Sequence, residues 1–106
     1  MKLQLRTYAI HPGVLEQFVA EWQAKLVPLR ERMGFRVLEA YTVPGKDLFV
    51  WIMGFDGADW DAADRAYVES PERKAMEPNP GPLIAHMEHE FIERVDLPTE
   101  ESARRL

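Results

Sequence analysis

An α+β chain of order β-α-β-β-α-β, with its four strands in one antiparallel sheet, is the fold class this sequence predicts. Three observations predict it. Residues 35–55 read as a hairpin: Arg36–Val43 and Leu48–Phe55 are rich in β-branched and aromatic residues, and Pro44-Gly45-Lys46-Asp47 punctuates them. A helical pattern flanks the hairpin on each side and a strand lies beyond each helix, which gives two βαβ halves of similar length. The second hairpin strand is apolar on both parities, with Leu48, Val50 and Ile52 on one and Phe49, Trp51, Met53 and Phe55 on the other. An antiparallel strand with one wet face alternates, so both faces of this sheet are expected to be covered.

Taken in order, residues 2–10 alternate. Lys2, Gln4, Arg6 and Tyr8 share one parity, and Leu3, Leu5, Thr7 and Ala9 the other. His11-Pro12-Gly13 ends this strand, and the proline suits a helix start. Leu15, Phe18, Trp22, Leu26 and Leu29 then recur at spacings of three and four over residues 14–32. Pro28 inside that helix predicts a bend near Val27. Gly34 is placed to end it in a left-handed conformation. After the hairpin, Asp59 caps a second helix over 59–69, and Asp59, Asp61 and Asp64 favour the positive end of its dipole. Ser70-Pro71-Glu72-Arg73 restarts a short helix that runs through Met76. Residues 77–82 hold three prolines and read as a surface loop. Residues 87–95 form the last strand, with Met87, His89, Phe91, Glu93 and Val95 on one parity. Residues 99–106 form a helical turn capped by Thr99, or fray.

This is the ferredoxin-like pattern. Its crossovers share one hand, so both helices lie on one face of the sheet. The other face is left bare, carrying either the Phe49 to Phe55 parity or its apolar neighbours. A bare apolar face of that size marks an interaction surface, and a second copy packing sheet to sheet closes it. A homodimer with isologous contacts is expected.

Length and composition bound the rest. A chain of 106 residues, 46% of them hydrophobic, supports one domain with a modest core. No apolar run approaches the roughly 20 residues of a membrane span, and the first residues are too polar for a signal peptide; a cytoplasmic protein is expected. There is no cysteine, hence no disulfide, thiolate metal site or cysteine nucleophile. The formal charge of −5, with Lys25, Arg30, Arg32 and Arg36 interleaved among Glu21, Glu31 and Glu39, disfavours nucleic acid as a partner.

Several phrases carry a family likeness. Leu5-Arg6-Thr7-Tyr8, His11-Pro12-Gly13, Leu26-Val27-Pro28-Leu29-Arg30, Gly34-Phe35, Phe49-Val50-Trp51-Ile52 and Ser70-Pro71-Glu72-Arg73-Lys74 together resemble the NIPSNAP domain family. The resemblance covers roughly residues 3–95. It implies a single domain over 1–96 with a short tail over 97–106, and a dimeric α+β barrel in which two sheets face each other. The wider superfamily includes cofactor-free quinone-forming monooxygenases and haem-degrading enzymes. The family supplies no general catalytic machinery to carry over, and the single short domain is similar to its bacterial members.

The candidate chemistry is sparse. Arg6 and Tyr8 share a strand face; if Leu5 and Ala9 pack under the helices, both point into the barrel. There Arg6 either holds a carboxylate or phenolate-like anion bidentately, or closes a structural ion pair with Glu39, Glu88 or Glu90. Tyr41, Phe49 and Trp51 line a pocket for a planar apolar ligand or form plain core. Trp22 and Trp60 sit on helical stripes and read as core. His86 and His89 are three apart and oppose each other on a strand, so they do not chelate one ion, and no metal and no cofactor is expected. A haem-binding reading needs a histidine facing a large cavity, and the crowding at Phe49, Trp51 and Phe55 argues against that space. His89 alone is the candidate general base; His11 lies at a strand end. The residues 77–82 serve as a lid over the barrel mouth or as a stiff connector. The expected function is the binding of a hydrophobic small molecule or a protein partner. The alternative is a cofactor-independent monooxygenase or isomerase acting on an aromatic or polyketide-like substrate in the barrel interior, with His89 as base and Arg6 and Tyr8 holding the oxyanion.

Overall fold

The structure, a computed structural model, describes residues 1–98. The reading of a helical turn capped by Thr99 lies outside the described residues. Strand β1 spans Lys2–Ile10. A helical arm follows: α1 (Leu15–Glu21), a π-helical turn (Trp22–Leu26) and α2 (Val27–Arg32). The hairpin strands are β2 (Arg36–Val43) and β3 (Leu48–Phe55). Helices α3 (Trp60–Val68) and α4 (Pro71–Lys74) come next, then a 3-10 turn (Gly81–Leu83) and β4 (Ile84–Ile92). The sheet is antiparallel throughout, in the order β2-β3-β1-β4. This is the α+β, ferredoxin-like arrangement the pattern predicts. Among the described residues no helix is long and apolar enough to cross a membrane.

Local chemistry explains the boundaries. Phe18, Trp22, Leu26 and Arg30 are spaced by four, and on an α-helix of 3.6 residues per turn such a stripe drifts by about 40° a step. The wider π turn takes up that drift, with the Val27 N–H donating to the Trp22 carbonyl. Pro28, which has no N–H, follows directly at the start of α2. The bend expected at Val27 is therefore a π turn just ahead of the proline. Gly34, at φ +97°, ends α2: its N–H donates to the Glu31 carbonyl and the Phe35 N–H to that of Arg30, a Schellman motif. In the hairpin Gly45 takes φ +79° and the Lys46 N–H donates to the Val43 carbonyl. Asp59 caps α3 through the Ala62 N–H at 3.0 Å, and Ser70 caps α4 through the Arg73 N–H at 3.1 Å.

Two expectations need correction, and one question the sequence leaves open is settled. The last strand runs over 84–92 rather than 87–95, because its partner limits its length: Ile84 faces Ile10 and Ile92 faces Leu3, one residue short of the start of β1. The short helix stops at Lys74 instead of Met76, and Gly81 and Pro82 close a 3-10 turn inside the segment read as irregular. The open question is which side of β1 is covered. Gln4, Arg6, Tyr8 and Ile10 are buried under the helices, whereas Leu3, Leu5, Thr7 and Ala9 line the open face. Hydrogen-bonded neighbours share a face, so Phe49, Trp51 and Met53 lie under the helices too, and Leu48, Val50 and Ile52 form the open side. The aromatic parity of β3 is the more voluminous one, and the helices bury it.

That buried face is an aromatic core. Trp22 packs on Phe49 and Trp51 with centroids 4.8 and 5.4 Å apart, and Phe18 meets Tyr8 at 5.8 Å and Phe49 at 5.4 Å, all edge to face. A second group joins Phe35, Phe55 and Trp60, and Trp60 reaches Phe91 of β4.

Gly34 gives a direct test of the α2 terminus. Gly34→Ala forces a left-handed alanine whose methyl would stand 3.4 Å from the Phe55 ring, and urea unfolding should show a loss of about 1–2 kcal/mol.

Candidate functional site

β1 brings Gln4, Arg6 and Tyr8 beneath the helices, and the sheet register sets their neighbours. Arg6 lies between Trp51 on β3 and His89 on β4; Tyr8 lies between Phe49 and Met87. Above them stand Leu26 and Arg30 of the helical arm and Asp64 and Tyr67 of α3, with Arg73, Lys74 and Asn79 at the rim. The space between them is a half-open cavity of about 510 Å3, within the usual size range of small-molecule sites.

Its polar centre is a shared carboxylate. Arg30 Nη1 donates to Asp64 Oδ1 at 2.7 Å, and Arg6 Nη2 stands 3.5 Å from the same oxygen. Both arginines are almost entirely buried, and Asp64 is about one-third exposed, with its side chain at 31%. Arg6 also donates from Nε to Gln4 Oε1 at 2.8 Å and from Nη1 to the Tyr8 hydroxyl at 3.3 Å. The Arg30 guanidinium stacks on the Tyr67 ring at 3.6 Å and faces the Phe35 ring at 4.9 Å. Burial, and next the charge of Arg6, lowers the Arg30 pKa; Asp64 works against both. Burial raises the Tyr67 pKa against the pull of Arg30 and Arg73, so at neutral pH its hydroxyl keeps its proton. The buried indole N–H of Trp51, in the cavity wall, meets no acceptor among the described residues.

The structure thus brings Arg6, Tyr8, Trp51 and His89 together and leaves Tyr41 apart. Tyr41 is 57% exposed on the open face of β2, where its hydroxyl donates to Glu39 at 2.9 Å. The convergence lies on the helix side of the sheet, not on the face that a barrel would enclose. The condition under which Arg6 and Tyr8 would enter a barrel is not met: they pack under the helices, and Leu5 and Ala9 do not. The acidic partner of Arg6 is also different. Glu88 and Glu90 sit opposite Thr7 and Leu5 on the open side, and helix residue Asp64 reaches Arg6 instead. His86, across from Ala9, lies on that open side near Glu88, while His89 lines the cavity; His11 is exposed. The segment 77–82 is fastened beside the cavity. Lys25 Nζ donates to the Glu77 and Pro78 carbonyls, and Arg73 donates to the Asn79 side chain.

Sequence reasoning missed Arg30, Asp64, Tyr67 and Arg73. Asp64 looked like one more acidic residue near a helix start. Its signal was its place one turn before Val68 on the side of Ala63 and Tyr67, the apolar side of α3. A wider depression of about 700 Å3 opens between the start of β1 and the end of β4, but its charged residues Lys2, Arg36, Glu93 and Arg94 are all exposed.

The NIPSNAP family model matches residues 3–98. No curated protein matches the chain. Among solved structures, an uncharacterized NIPSNAP domain protein from Burkholderia xenovorans superposes with a TM-score of 0.77 at 19% identity, covering 94% of this chain and 100% of that one. A NIPSNAP family protein from Agrobacterium tumefaciens superposes at 0.72 with 17% identity, covering 95% of each. A protein described as antibiotic biosynthesis monooxygenase superposes at 0.62 with 13% identity, covering 91% of this chain and 100% of that one.

Removing the shared carboxylate tests the energetic role assigned to it. Asp64→Ala leaves two buried guanidiniums without their counter-charge, and chemical denaturation should show a loss of about 2–4 kcal/mol, scaled down from a fully buried pair because Asp64 is partly exposed. Asp61→Ala, exposed on the same helix, should stay within about 0.5 kcal/mol of the parent.

Proposed function

The chain belongs to the NIPSNAP family, and from that premise we propose that it acts as a homodimer in which each protomer binds a hydrophobic small molecule between its helices and its sheet. The observation that carries this reading is the convergence of Arg6, Tyr8, Trp51 and His89, from three adjacent strands, on one cavity. Leu26, Ile84, Met87 and Val68 give that cavity apolar walls, and a few polar groups on an apolar wall are the usual make-up of a ligand site. Binding at this place leaves the open sheet face available for the second copy. Leu5, Val50 and Ile52 line its centre and stay only half-buried within one protomer, which supports a sheet-to-sheet pair.

A second reading rests on the same residues. His89 stands directly across from Arg6. As a general base it would take a proton from an aromatic or polyketide-like substrate, and Arg6 with Tyr8 would hold the resulting oxyanion. That is the step an isomerase or a cofactor-independent monooxygenase needs first. The likeness in fold to the monooxygenase described above motivates the reading without assigning the activity.

Native mass spectrometry tests the first reading in one measurement. The expected ion has twice the 12.3 kDa chain mass, carries one small-molecule adduct per protomer, and loses the adduct on denaturation. Ile52→Glu, which places a charge in the open face, should yield monomers that keep their fold by circular dichroism. A monomeric parent protein would refute the pairing, and a cavity that neither retains nor takes up any apolar compound would refute the binding role.

A further inference from the structure

The cavity is unbalanced in charge. Four cationic side chains line it, Arg6, Arg30, Arg73 and Lys74, against the single carboxylate of Asp64 among the described lining residues. Two of the cations are withdrawn from water, with Arg6 at 5% and Arg30 at 3% exposure. A buried cation is costly unless it is paired and its N–H groups are satisfied. Asp64 satisfies Arg30 at 2.7 Å but meets Arg6 only at 3.5 Å. Arg6 donates to Gln4 and Tyr8 and Arg30 to Asp64, while the third Arg6 nitrogen, Nη2, is met only by the longer 3.5 Å contact with Asp64. The neighbouring Tyr67 hydroxyl is a neutral donor at physiological pH.

We propose that the ligand of this cavity is an amphipathic carboxylate, an apolar ring system bearing one planar anion, which docks at the weakly engaged Nη2 side of Arg6 while Asp64 stays with Arg30. Two features select this class. A guanidinium edge matches a flat carboxylate in a bidentate pair. The walls beside it, Trp51, Leu26, Ile84 and Met87, suit an apolar body. The proposal rests on the small-molecule reading above and sharpens it. The rival account is structural: the three charged residues only staple the helices to the sheet, and nothing charged enters.

Isothermal titration calorimetry on the whole chain, with 2-naphthoate and its neutral counterpart 2-naphthylmethanol, separates these accounts. Naphthoate is expected to bind once per protomer, and the alcohol about thirtyfold more weakly, as loss of a charged hydrogen-bonded pair gives. Asp64→Asn removes a like charge near the docking point, so it should tighten naphthoate by about tenfold and leave the alcohol unchanged. A stapling role predicts no such gain. Equal binding of the two compounds would overturn the carboxylate assignment and leave the apolar cavity standing. Failure of both to bind would overturn the cavity reading and the assignment together. Because the parent protein alone gives the naphthoate-to-alcohol ratio, the result stands even where Asp64→Asn is too unstable to titrate.

Discussion

The Asp64 carboxylate lies between two guanidiniums that come from different parts of the chain, and the fold is held in register around it. Arg6 belongs to the first strand, Arg30 to the end of the helical arm, and Asp64 to the helix of the second βαβ half. A strand presents alternate residues to opposite faces, so a slip of one residue in β1 would throw Arg6 onto the open side and its apolar neighbours under the helices. A well-packed apolar substitute for such a triad is often as stable. What an ionic group adds is a strict demand on position. Here that demand agrees with the aromatic packing of β3, which sets the face of the sheet that the helices cover.

The helix layer covers the sheet unevenly. Aromatic side chains of the helical arm lock onto β3 and the middle of β1, and Phe49, Met53 and Phe18 are sealed from solvent. The second half contributes a nine-residue helix and a four-residue one, too little to roof β4. Met87 and Phe91 are consequently exposed on the helix side, and Trp60 is the aromatic residue that bridges to Phe91. The cavity is the gap between a tight aromatic core and a thin second roof.

Much of this was legible in the sequence. The order of elements, both hairpin strands to the residue, the Gly34 terminus and the Ser70 cap each rest on local chemistry that a single sequence exposes. The face of β1 did not. Leu3 and Leu5 look like core and Arg6 looks like surface when a strand is read alone, and only the stacking of the larger Phe49, Trp51 and Met53 parity under the helices decides otherwise. The same blindness hid Asp64 and Arg30, whose meeting depends on a contact between residues 34 apart in sequence. The residues Arg6, Tyr8, Trp51 and His89 that line the cavity from β1, β3 and β4 stood out by type. Tyr41 was not separable from them, because its strand register, rather than its composition, sets it on the opposite side.

The π-helical turn at Trp22–Leu26 bears on how relatives of this chain are to be compared. Such a turn holds an extra residue without rotating the segments on either side. A homologue shorter by one residue there would run as plain α-helix and still present the counterparts of Phe18 and Arg30 to the same neighbours. The one-residue gap in an alignment then belongs in the middle of a helix, a place where gaps are ordinarily resisted. Forced out to the nearest loop instead, it would pair each residue of α2 with the wrong counterpart and make a retained arginine look like a lost one.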